Sequence, residues 1–133
     1  MNNFSGKTAF VTGSSRGIGR ATGLKLASLG AKVFFHGVKP SEKLDSAVKD
    51  AGSLAESLTA DFGNMDEVAN LADILIERNS VPEILVLNAS VQSYTGLGNF
   101  DRSEFLRMFQ TNAESSCILL QNHSAIILFS HFR

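Results

Sequence analysis

Strand-like and helix-like segments alternate along this 133-residue chain, which predicts a doubly wound α/β domain spanning residues 1–133. Its parallel sheet is expected between two helical layers and incomplete at the C-terminal edge. Three observations carry that expectation. Short apolar runs recur between longer stretches whose apolar residues follow helical spacing. A glycine-rich turn, Thr12-Gly13-Ser14-Ser15-Arg16-Gly17-Ile18-Gly19, stands at the first strand-to-helix corner. The polar segments beginning at Thr12, Gly37, Asp61 and Asn88 all follow predicted strands. With right-handed crossovers the expected strand order is 3-2-1-4-5. Those segments then gather at one rim, where the order reverses between the first and fourth strands.

The elements follow in order. Lys7 to Val11 is the first strand, and Gly17 to about Leu29 the first helix, with Gly30 in the position that a terminating glycine takes. Ala31 to His36 is a second strand, almost wholly apolar, as befits a parallel strand covered on both faces. Pro40 and Ser41 open a helix running to Ala51, with Ser41 as N-cap and Gly52 as its stop. Leu54 to Ala60 is a third strand interrupted by Glu56 and Ser57, a pattern that suits a sheet edge. Asn64 with Glu67 resembles a capping arrangement for a helix from Met65 to Arg78, whose Val68, Leu71, Ala72, Leu75 and Ile76 share one face. Ile84 to Leu87 is the fourth strand. Asp101 with Glu104 opens a further helix reaching Leu120, and Ala125 to Phe129 is the fifth strand.

Composition bounds the partners. Twelve basic and thirteen acidic residues leave a net charge of −1, which supplies no electrostatic attraction to nucleic acid or to an anionic membrane. Nowhere do eighteen apolar residues follow one another, and the first residues hold no secretory apolar core, so a cytoplasmic location is expected. The one cysteine, Cys117, has no partner for an internal disulfide and is expected as a small buried side chain on a helix. No metal site is expected.

A strand-to-helix corner rich in glycine is suited to an anion. Glycine lets a ligand approach the main chain without meeting a β-carbon, and unpaired N–H groups at the helix start face a negative charge, aided by the helix dipole. The spacing here is G-x-x-x-G-x-G. It is neither the G-x-G-x-x-G of many dinucleotide folds nor a Walker loop, since no Gly-Lys-Ser/Thr follows.

The string T-G-x-x-x-G-I-G closely resembles the cofactor loop of the short-chain dehydrogenase/reductase family, and the resemblance extends from about Phe4 to Ser116. It implies a Rossmann-like fold that binds a nicotinamide dinucleotide through Gly13, Ser15, Arg16, Gly17, Ile18 and Gly19. Asp61-Phe62 resembles the family's aspartate-plus-apolar pair, in which the carboxylate accepts from the adenine amino group and the next residue packs on the ring. Asp61 also suits simple ordering of its turn. Asn88-Ala89-Ser90 resembles the end of the family's Asn-Asn-Ala-Gly segment beside the cofactor ribose, with Leu87 and Ser90 departing from the pattern. Asn112 stands where the family has its catalytic asparagine, which interrupts the helix bonding so that its main-chain carbonyl holds a water of the proton relay.

After the second strand, His36, Gly37, Val38 and Lys39 include no carboxylate to accept the ribose hydroxyls of NAD. Lys39 and Arg16 suit the 2′-phosphate of NADP, and His36 is either a further donor to it or a packed strand end. NADP is therefore expected over NAD.

The resemblance implies carbonyl reduction or alcohol oxidation, with a tyrosine donating the proton and a lysine four residues on lowering its pKa. Here the one tyrosine, Tyr94, is followed at that spacing by Gly98 and lies in the loop after the fourth strand. Ser130 or His131 falls near the family's substrate-holding serine. The chain is short for a complete member, and a truncated product, a shifted reading frame after Gln121 or an excerpt is expected. An apolar flank of the fifth strand is then left without cover, with self-association as its consequence, whereas the parent is expected to be a homo-oligomer. A dinucleotide-binding module without turnover is the alternative reading.

Overall fold

The computed structural model describes residues 3–94, 96 and 98–121 with their side chains, and the backbone of 126–129. Five parallel strands, β1 (Thr8–Val11), β2 (Lys32–Gly37), β3 (Ala55–Thr59), β4 (Ile84–Leu87) and β5 (Ile126–Phe129), form one sheet in the order β3-β2-β1-β4-β5. Between them run α1 (Gly17–Ser28), α2 (Glu42–Ala51), α3 (Met65–Glu77), α4 (Arg102–Phe109), a π-helical turn (Gln110–Glu114) and α5 (Ser115–Gln121).

Alternation along the strands divides the core into two layers. Ala9, Val11, Val33, Phe35, Ile84 and Val86 face one way and pack with Leu26 of α1 and Leu44 and Ala47 of α2. Phe10, Phe34 and Leu85 face the other way, against Val68, Leu71, Ala72 and Leu75 of α3 and Leu119 of α5. Each fully buried phenylalanine contributes about 1.5–3 kcal/mol relative to exposure, which is why the central strands are apolar on both faces. β3 is one of the two edge strands, and Glu56 and Ser57 are exposed on it.

The helix boundaries follow local chemistry. Ser41 Oγ accepts from the Leu44 N–H at 3.2 Å. Asn64 Oδ1 accepts from the Asp66 N–H at 3.1 Å, while Glu67 reaches back to the Asp61 N–H at 2.7 Å rather than to the cap residue's own N–H. Asp101 Oδ1 accepts from the Ser103 hydroxyl at 2.6 Å and from the N–H groups of Ser103 and Glu104; the hydroxyl bond first, then the two main-chain bonds, hold its carboxyl below the ordinary carboxylate range.

The helix after Asp101 is interrupted where the resemblance at Asn112 implies: a π-helical turn holding Asn112 separates α4 from α5. One expectation needs correction: Cys117 is exposed rather than buried. On α5 it is Ser115 and Leu119 that are buried, and a residue midway between two positions four apart points about 200° away from them. Ser130 and His131 lie outside the described residues, as do the β5 side chains on which the uncovered flank depends.

Candidate functional site

The rim at the C-terminal ends of β1 and β4 is a pair of interlocked loops. Gly13 has φ +61°, and a β-carbon on it would stand 2.8 Å from the Ala89 Cα. A β-carbon on Gly19 would stand 2.5 Å from both Asn88 Nδ2 and the Gly13 carbonyl oxygen. Glycine at these two positions lets the loops close on each other. Asn88 Nδ2 donates to the carbonyls of Thr12 at 3.1 Å and Gly13 at 3.0 Å. In return, buried Thr12 Oγ1 accepts from the N–H groups of Asn88 and Ala89, each at 2.9 Å. The first turn of α1 opens on this framework. Its N-cap residue, Arg16, is extended at φ −155°, and no side chain caps the turn. Its free N–H groups and the positive end of the helix dipole are left for an anion.

His36 ties the first loop to the third. Its ring is 2% exposed, accepts the Gly13 N–H on Nδ1 at 3.0 Å and lies 3.0 Å through Nε2 from the Ala60 carbonyl. This pair of partners requires a neutral imidazole with the proton on Nε2. Burial lowers its pKa from the ordinary 6.5 to about 4, against the opposing bond to Ala60. The ring stacks on Phe62 at a centroid distance of 4.1 Å, and the His36 N–H donates to Ser14 Oγ at 2.8 Å. With its single ring N–H given to Ala60 and its main-chain N–H to Ser14, His36 has no donor left for a phosphate. Of the two roles expected for it, packing at the strand end is the one it fills.

Asp61 orders its turn through Oδ1, which accepts the Gly63 N–H at 2.8 Å, and presents Oδ2 to Arg107 Nη1 at 3.4 Å. Asn112 sits in the π-helical turn. Its Oδ1 accepts the Val91 N–H at 2.8 Å and its Nδ2 donates to the Val91 carbonyl at 2.9 Å, fastening the helix to the loop after β4. Such a turn breaks the regular i→i−4 ladder, and it recurs at functional positions.

A cavity of about 210 Å³ gathers the expected residues Gly13, Ser15, Arg16, His36, Asp61, Phe62, Ala89 and Ser90, together with Gly37, Val38, Val91, Arg107 and Thr111. Beside it a more open hollow of about 510 Å³ is lined by Ser15, Arg16, Gly17, Arg20, Glu42, Lys43 and Ser46. Lys39 lines neither, nor do Ile18, Gly19, Asn88 and Asn112. Arg20 is paired with Asp50, so the basic side chains of the hollow without an ion pair among the described residues are Arg16 and Lys43. Sequence reasoning placed Thr12 and Ser14 in the glycine turn without giving either a role of its own, and it missed Val91, Arg107 and Lys43. The polarity of buried Thr12 and Ser14 was a signal, whereas nothing local marks Arg107 or Lys43. Among the described residues no group of three or more His, Cys, Asp or Glu side chains is placed to hold a metal. A cradle that β-carbons would fill, an uncapped helix start and adjacent basic groups together suit a phosphate-bearing dinucleotide.

Comparison with known proteins agrees. Residues 7–128 match the family described as short chain dehydrogenase. The short chain dehydrogenase mdpC of Emericella nidulans is 36% identical over 135 positions, which take in 94% of this chain and 51% of that protein. Versicolorin reductase stcU of the same fungus is 36% identical over 110 positions, 80% of this chain and 42% of its own. A metagenomic short-chain oxidoreductase solved in complex with NADP superimposes with a TM-score of 0.88 at 30% identity, covering 95% of this chain and 61% of that one. The chain thus spans about half the length of the curated relatives it matches. By its Rossmann-like sheet, the interlocked loops at the sheet's rim and these matches, the chain belongs to the short-chain dehydrogenase family.

Proposed function

We propose that this chain is the NADP(H)-binding portion of a short-chain oxidoreductase whose parent reaction moves a hydride between NADP(H) and a carbonyl or alcohol substrate. The observation that carries the reading is the uncapped start of α1, braced by Gly13, Gly19 and Asn88 at the point where the strand order reverses. When bound, the cofactor supplies the hydride. The chain's own groups bind and orient it. The N–H groups from Ser15 to Gly19 face the pyrophosphate, Ala89 and Ser90 flank the ribose, and Asp61 takes the adenine amino group. Asn112, through its main-chain carbonyl, belongs to the water relay of the parent.

Preference for NADP over NAD rests on Arg16, assisted by Lys39 and Lys43. No carboxylate follows β2 directly, and Glu42 is the one acidic group lining the hollow. These 133 residues include no Tyr-x-x-x-Lys, and Tyr94 is 92% exposed with its hydroxyl on Gln92. On this reading the chain binds cofactor but does not turn over unaided. The parent is a cytoplasmic homo-oligomer without a nucleic-acid partner. The net charge of −1 supports the lack of a nucleic-acid partner, and among the described residues no helix is long and apolar enough to cross a membrane.

Fluorescence titration with NADPH and NADH tests the reading. NADPH is expected to bind more tightly. Arg16→Ala with Lys39→Ala is expected to weaken NADPH by roughly tenfold and NADH little. Equal losses for both cofactors would contradict the 2′-phosphate assignment.

A further inference from the structure

Arg107, in the last turn of α4, shares the Asp61 side of the cleft. Its Nη1 lies 3.4 Å from Asp61 Oδ2 and 3.0 Å from where a β-carbon on Gly63 would stand, so the guanidinium rests in the space that glycine leaves. The side chain is 52% exposed and lines the same cavity as Asp61 and Ala89. Phe62, which the family resemblance places against the purine, is 2% exposed with one face on His36. Little of its ring is left to receive a base. The planar group that remains accessible beside the Asp61 carboxylate is the Arg107 guanidinium.

We propose that Arg107 determines affinity for the adenine end of the cofactor, its guanidinium forming the stacking wall of the purine slot while Asp61 holds it in place. The inference rests on the dinucleotide reading above. A guanidinium is flat and weakly hydrated and stacks on π systems, which an ammonium does not do as well. Asp61 can serve both neighbours, because each carboxylate oxygen has two lone pairs and only Oδ1 is engaged by the main chain.

The test is fluorescence titration of the full chain with NADPH and with its 6-deamino analogue, which keeps the purine but lacks the amino group. Wild type, Arg107→Ala and Arg107→Lys are compared, with thermal unfolding of each as the check on folding. Arg107→Ala is expected to weaken both ligands by roughly tenfold at an unchanged unfolding midpoint, and Arg107→Lys to stay close to Arg107→Ala. Arg107→Ala with wild-type affinity, full recovery in Arg107→Lys, or a loss seen with NADPH alone overturns the stacking role while leaving the dinucleotide reading intact. Wild type that binds neither ligand defeats that reading and this inference with it.

Discussion

At Gly13 one methyl group decides whether two loops can meet. A β-carbon there would stand 2.8 Å from the Ala89 Cα, on a backbone already at φ +61°. Gly13→Ala is therefore expected to destabilise the chain by roughly 1–3 kcal/mol and to abolish NADPH binding. Urea unfolding and titration measure the two effects. His36 acts through its neutral form. Its folded pKa is depressed to about 4 from 6.5, so the unfolded chain takes up the proton first as pH falls. The contribution is complete above about pH 6.5 and is lost as pH drops through about 4, a span on the order of 3 kcal/mol. Urea midpoints followed from pH 7 to pH 4 are expected to fall more steeply for wild type than for His36→Asn, which has no imidazole to protonate. Thr111 presents the opposite case. Its Oγ1 is buried and, among the described residues, has no hydrogen-bond partner. Thr111→Val is expected to leave stability unchanged or to raise it by up to about 1 kcal/mol.

The helical stretch between β4 and β5 departs most from its sequence pattern. Its apolar residues suggest one helix against the sheet, yet no residue of α4 is buried, and the π-helical turn shifts the register before Ser115 and Leu119 reach the core. Capping by Asp101 was legible because one side chain and two nearby N–H groups decide it. The π turn was legible only through the family resemblance at Asn112, because the contact that braces it is Asn112 gripping Val91, 21 residues away. Asn112→Leu removes both bonds and is expected to cost roughly 1–2 kcal/mol, since the pair is exposed. A urea titration against wild type checks it. Arg107 escaped notice for the same reason. Its partner Asp61 is 46 positions distant, and a lone arginine on a helix reads as a solvated charge. The residues of the glycine turn were legible because their chemistry is local to one corner.

For the whole molecule, the strand order was legible because apolar strands and amphipathic helices alternate and crossovers have a fixed hand. That order brings the loops after β1, β2, β3 and β4 to one rim, where His36, Asn88 and Asn112 fasten them to one another or to the helix beyond. A ligand gripping several of these loops stabilises the fold by mass action, about 2.7 kcal/mol at a concentration one hundred times its dissociation constant. The most direct measurement of the central claim is an amide chemical-shift map of the isotopically labelled chain titrated with NADPH. The account predicts the largest shifts at Gly13–Gly19, Asp61–Gly63 and Ala89–Val91, with the exposed face of α3 unmoved. Saturable binding whose shifts lie away from those three loops would contradict it.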